Sequence, residues 1–309
     1  MFGVVWIHSV SCPNWISSPM LNSTFFFLSG IFFKKEPFGP FVAKKARTLL
    51  IPFLIFYLLC YPYRIVVHYW DFRTLAGFDW MCIFDLFDVT GRSDYLFVNV
   101  PLWFLLCLFI VQVYYFFLSR LPGWVWAVLI VLAMVLEHFI MSVPTPFMLN
   151  NAAYWISFFA AGHLCGRRLI KAMSNMKLRL SLLAISLVAI VGITVVQTHS
   201  PEAVADFAGQ VKLYAIIGLL FAGGSFFDRW RSLRPIRFLG KNSLAMLCMH
   251  IPPLTVFDRI ASKLTDHTPT PMVGFICSLL TCLVCYVAIV WCNRFCPIAV
   301  GKRPLPRTD

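Results

Sequence analysis

The chain has 309 residues, 60% of them hydrophobic and 13% charged, with a formal net charge of +13. A soluble domain devotes about a quarter of its residues to charge, so a wholly water-exposed surface is excluded and a membrane is the first expectation. The positive balance does not indicate nucleic acid, because the basic residues sit in short clusters between apolar runs rather than on one charged face.

Apolar segments that cross or nearly cross a bilayer are expected at about 1–12, 22–33, 48–68, 101–119, 122–141, 152–166, 180–197, 210–227, 243–262 and 271–292. The reading is an all-α, polytopic membrane protein with about ten transmembrane helices. With the N-terminus inside, 20 of the 26 basic residues fall in cytoplasmic loops, and the other side is dotted with acids such as Asp71, Asp79 and Asp85. Positive charge resists translocation, so both termini are expected in the cytoplasm. The whole of 1–300 reads as one transmembrane domain and 301–309 as a short cytoplasmic tail.

The first two segments are short. About 12 helical residues rise about 18 Å against a hydrocarbon core of about 30 Å, so an N-terminus lacking part of its first helix is expected. MFGVVWIHSVSCP has no basic start and no small-residue cleavage site, unlike a signal peptide. Between Tyr69 and Val100, DWMCIFDLFDV predicts either an interfacial helix capping the bundle or a loop anchored by Trp70, Trp80 and Phe87.

Ionisable groups inside spans are costly and therefore mark candidate sites. His8 in VVWIHSV is a lone imidazole, a group that can take a proton from a hydroxyl in acyl transfer or make an interhelical hydrogen bond. His250 precedes Pro252 and Pro253, which lack backbone donors and should free carbonyls for a ligand or another side chain. Lys44 and Arg47, three residues apart, share a helix face and can hold a phosphate, or else serve positive-inside topology and anionic lipid contact. Asn242 reads as a helix cap. Glu137, His138, His68 and His163 read as interfacial or hydrogen-bonding residues, and Gly30 and Gly162 as points of close helix approach. The cysteines show no metal-ligand or disulfide spacing, no metal is expected, and no P-loop, GxSxG or dinucleotide pattern occurs.

Several stretches in order resemble the membrane-bound acyltransferase family 3: VVWIHS, STFFFLSGIFFKK, KKARTLLIPFLIFY, VPLWFLLCLFIVQVYYF and FLGKNSLAMLCMHIPPL. The resemblance implies transfer of an acyl group, commonly acetyl from acetyl-CoA as co-substrate, to a hydroxyl of a surface or lipid-linked glycan. It further implies His8 as the base, Lys44 and Arg47 at the acyl-CoA site, and His250 as a late histidine of less settled role. The basic residue that the family usually carries upstream of the first histidine falls before Met1. Two other readings stay open: a transporter of a polar metabolite or lipid-linked sugar, and an inactive partner in a glycan assembly complex. The oligomeric state, acyl group and acceptor are not legible.

Overall fold

The computed structural model describes residues 1–14, 16, 18–87, 98–136, 143, 145–227, 234–266 and 268–302, apart from the side chain of Ala203. Glu137, His138, His267, residues 88–97 of the Tyr69–Val100 segment and residues 303–309 of the tail lie outside the described residues. In chain order the helices are α1 (Phe2–Ile7), α2 (Ser18–Ile31), α3 (Phe38–Phe72), α4 (Trp103–Leu118), α5 (Gly123–Val135), α6 (Leu149–Ala172), α7 (Met176–His199), α8 (Glu202–Phe226), α9 (Arg234–Lys241), α10 (Ser243–Met249), α11 (Ile251–Leu264) and α12 (Pro271–Phe295). Trp80–Phe87 forms a 3-10 helix, with Cys82 buried, where an interfacial helix or an anchored loop was expected.

The expected ten spans are not found. Among the described residues, 5 helices are long and apolar enough to cross a membrane: α3, α4 with its lead-in turn (Val100–Leu118), α7, Val204–Phe226 of α8, and α12. Counting the bent pair α10 and α11 as one broken span gives up to 6. The error has a physical source. An apolar run reports burial, and neighbouring helices can supply that burial as well as lipid can. α1 has only 6 residues, α2 has 14 and α5 has 13. α6 is long but carries Asn150, Asn151, His163, Arg167, Arg168 and Lys171. The assignment of both termini to the cytoplasm relied on the even count of ten, and it falls with that count.

The core gathers around α4, α2 and α6. α4 buries residues on all sides, among them Leu105, Cys107, Val111 and Tyr115, as a helix apolar all round must. α2 and α6 cross at Gly30 and Gly162, where a Cβ on either glycine would overlap a carbonyl oxygen of the other helix, that of Phe159 or Phe27. The close approach read from these glycines is present. α7 is the opposite case: it packs on α8 along one face, Ser186 is its one buried described residue, and Val188 is 73% exposed, so the rest of its circumference is an apolar face fit for lipid.

α3 has 35 residues and rises about 50 Å, more than the hydrocarbon thickness, so its first turns extend past the apolar layer. Ala46–Leu50 within it is a π turn, closed by the Ile51 N–H donating to Ala46 O. Pro52 explains the widening, since it has no N–H for Thr48 O and its ring crowds that carbonyl. Gly301 packs there with φ +73, and a Cβ on it would stand 2.7 Å from Thr48 O.

Candidate active site

α1 ends at His8, whose backbone takes φ −93 and ψ −2. The helix is short, yet it is pinned. Val5 is fully buried, and Trp6 meets Phe275 of α12 edge-on at 5.3 Å. The chain beyond His8 folds back on itself: Ser9 Oγ donates to Trp6 O and Ser11 O, and Trp6 Nε1 donates to Ser11 O. A buried carboxylate completes the arrangement, with the Val10 N–H donating to Asp258 Oδ2 at 3.0 Å. Gly274 lets this loop lie against α12, because a Cβ there would overlap Ser11 O.

His250 stands at the break between α10 and α11, which are bent by 51°. Its ring centroid is 5.4 Å from that of His8, with the planes inclined at 45°. The two rings differ in surroundings: His8 is exposed, whereas His250 is fully buried. His250 Nδ1 lies 3.0 Å from Met246 O. A carbonyl can only accept, so Nδ1 carries the proton and Nε2 presents a lone pair. No hydrogen-bond partner for Nε2 exists among the described residues.

The break follows from sequence. Pro252 cannot donate to Cys248 O, so that carbonyl loses its helical partner. Asn99 supplies the missing donor, its Nδ2 donating to Cys248 O at 3.0 Å and reaching Cys60 Sγ at 3.3 Å. The expected freed carbonyl is therefore present, taken by a side chain from the turn before α4. Replacing Asn99 with leucine leaves Cys248 O buried without a donor and is expected to cost about 1–3 kcal/mol. Thermal unfolding of the detergent-purified variant measures this, and an unchanged midpoint removes the role given to Asn99.

The basic pair lies elsewhere. Lys44 Nζ donates to Glu36 Oε1 at 2.8 Å, and both groups are at the surface. That hydrogen bond, followed by the charges of Lys44, Lys45 and Lys34, holds the Glu36 carboxyl below the usual carboxylate range. Arg47 is exposed, in the π turn, with no partner among the described residues. The π turn begins after Lys44, and Lys45 and Ala46 between the two basic residues keep α-helical backbone angles. No hydrogen bond or ion pair joins Lys44 or Arg47 to His8 or His250 among the described residues.

Their end of the bundle is tied to the start of α10. The segment packed on Thr48 continues to Lys302, whose Nζ donates to Asn242 Oδ1 at 2.5 Å and Asn293 Oδ1 at 2.7 Å. Burial lowers the Lys302 ammonium from its ordinary value. Asn242 occupies the cap position, but its side chain makes no cap bond and instead donates to Phe238 O, which corrects the simple capping reading. From Asn242 to His250 the helix rises about 12 Å.

Asn99, Asp258 and Lys302 were not singled out from sequence. A carboxylate inside IPPLTVFDRIASKL was the available signal for Asp258. Arg64, inside the apolar stretch of α3, gave the same signal. His163 lies 2.7 Å from Tyr115 Oη through Nδ1, the hydrogen-bonding role expected of it.

A helical bundle with 5 membrane-length apolar helices, and up to 6 with the broken pair, defines a polytopic membrane protein, and the two adjacent imidazoles beside the break are its candidate site. The chain belongs to the membrane-bound acyltransferase family 3, whose model, described as an acyltransferase domain, matches residues 1–290. No curated protein and no solved structure matches the chain.

Proposed function

We propose that the chain transfers an acyl group, in the simplest case acetyl from acetyl-CoA, to a hydroxyl of a surface or lipid-linked glycan. The observation that carries this reading is the histidine pair in a chain matched by an acyltransferase model over residues 1–290. His8, the accessible ring, takes the proton as the acceptor oxygen attacks the thioester carbonyl. The tetrahedral adduct then expels the CoA thiolate, which regains the proton, so one ester forms as one thioester breaks. His250 acts as a positioning residue: its Nδ1 is held by Met246 O, which fixes the tautomer, and its ring stands 5.4 Å from that of His8.

Lys44 and Arg47 bind CoA phosphates at the cytoplasmic mouth in this scheme. Their end of the bundle, joined through Thr48 and Lys302 to Asn242, leaves the pantetheine arm about 12 Å of helix to reach the histidines. The bacterial inner membrane supplies both a cytoplasmic donor and an outward-facing acceptor.

Proteoliposomes given labelled acetyl-CoA and surface glycan should release CoA thiol and label the glycan in equal amounts. Uptake of glycan without covalent label would instead mark a transporter and end this reading. Since Glu36 competes with phosphate for Lys44, Glu36→Gln is expected to lower the KM for acetyl-CoA by at most about fivefold, the reach of an exposed ion pair worth about 0–1 kcal/mol. The gain should shrink as salt rises, and a KM indifferent to both removes Lys44 from the donor site.

A further inference from the structure

A cleft of about 860 Å³ lies apart from the histidines, between the α6–α7 hairpin, α8 and α2. Leu28, Met173, Phe221 and Gly224 line its mainly apolar walls, and Thr24 and Arg179 add polar groups. Arg179 is fixed at the rim: Nε and Nη2 donate to Met173 O at 3.2 and 2.5 Å, and Cζ stands 4.9 Å from the Phe226 ring. Its Nη1 has no hydrogen-bond partner among the described residues.

The charged residues of the α6–α7 hairpin have one sign. Arg167, Arg168, Lys171, Lys177 and Arg179 fall in the hairpin, and the sequence has no Asp or Glu from residue 138 to residue 201. None of the five makes an ion pair among the described residues. α7 contributes Met176 and Arg179 to the cleft, both in its first turn, and the helix that continues from them has Ser186 as its one buried described residue. Apolar walls of this extent do not hold ordered water, whereas a hydrocarbon chain suits them. A planar guanidinium at the rim matches a phosphate, and basic pockets between membrane helices suit anionic headgroups.

We propose that this cleft is a binding site for an anionic diacyl phospholipid, with one acyl chain between α2 and α8 and the phosphate on Arg179. The site does not depend on the acyl-transfer reading. α7 and α8 pack against each other, while α8 also meets the bundle beside the cleft, with Phe221 5.4 Å from Phe27 and Tyr214 stacked on Phe158 at 4.6 Å. The α7–α8 contact is polar as well as apolar, with Lys212 Nζ donating to Gln197 Oε1, and Gln197 Nε2 donating to Ala205 O at 3.0 Å.

The test uses the full chain purified in mild detergent, offered equal phosphatidylglycerol and phosphatidylcholine, and weighed intact by native mass spectrometry. The unmutated protein should keep one phosphatidylglycerol per chain in preference to phosphatidylcholine. Arg179→Gln should lower that retention about fivefold, since a basic residue near an anionic surface is worth about 1 kcal/mol. Gly224→Phe changes no charge, and its Cβ enters open space, so it should fold, fill the cleft and abolish retention. Equal retention of the two lipids, or undiminished retention by either variant, overturns the site. Displacement of phosphatidylglycerol by an equal amount of a polyisoprenyl phosphate overturns it too.

Discussion

Replacing His8 by alanine is expected to lower acetyl transfer by about 10²–10⁴-fold, the usual contribution of a positioned general base. Stability should hold, because the residue is exposed and its ring makes no hydrogen bond among the described residues. The neighbouring histidine needs a different substitution. His250→Ala would open a cavity in a fully buried position and lose the bond to Met246 O, so reduced activity could reflect unfolding. His250→Asn keeps an N–H near the place of Nδ1 while removing the Nε2 lone pair. It should fold, slow transfer, and move the acid limb of the pH–rate profile, which a packing defect would leave in place. If His8→Ala keeps more than about a tenth of the transfer rate, the base must be sought elsewhere.

Much of the site was legible because its residues break local rules. A lone imidazole inside an apolar run, and two prolines after another imidazole, are visible in a single segment. The partners of those residues were not visible. Asn99 is 149 positions from Cys248, and Val10 is 248 positions from Asp258. Nothing local in Asn99 says which carbonyl it will serve. The span count failed for a related reason: the apolar surfaces of α2 and α6 bury each other, and sequence hydrophobicity does not distinguish a helix neighbour from a lipid tail. The π turn at Ala46–Leu50 had a local cause in Pro52, but a continuous α-helix was expected there.

The same mutual burial makes the α2–α6 crossing the most sensitive packing point in the fold. Gly162→Ala adds one methyl group whose carbon would overlap Phe27 O, and Gly30→Ala does the same against Phe159 O. Backbone cannot rotate aside as a side chain can, so the helices must separate. That separation would loosen contacts of Phe26 with Trp155, stacked at 5.2 Å, and of Phe33 with His163 at 5.1 Å. Each substitution is expected to cost about 1–3 kcal/mol or more, the usual penalty for forcing volume into a packed core. The double substitution should cost less than the sum, because the first methyl has already parted the helices that the second needs parted. Gly192→Ala gives the contrast: its Cβ meets nothing within 4 Å, so the same chemical change in α7 should be neutral or stabilise by up to about 1 kcal/mol. Unfolding midpoints in one detergent compare all four variants. Equal midpoints for Gly162→Ala and Gly192→Ala would show that the crossing does not rest on backbone contact. Strict additivity would show that the two glycines serve separate interfaces.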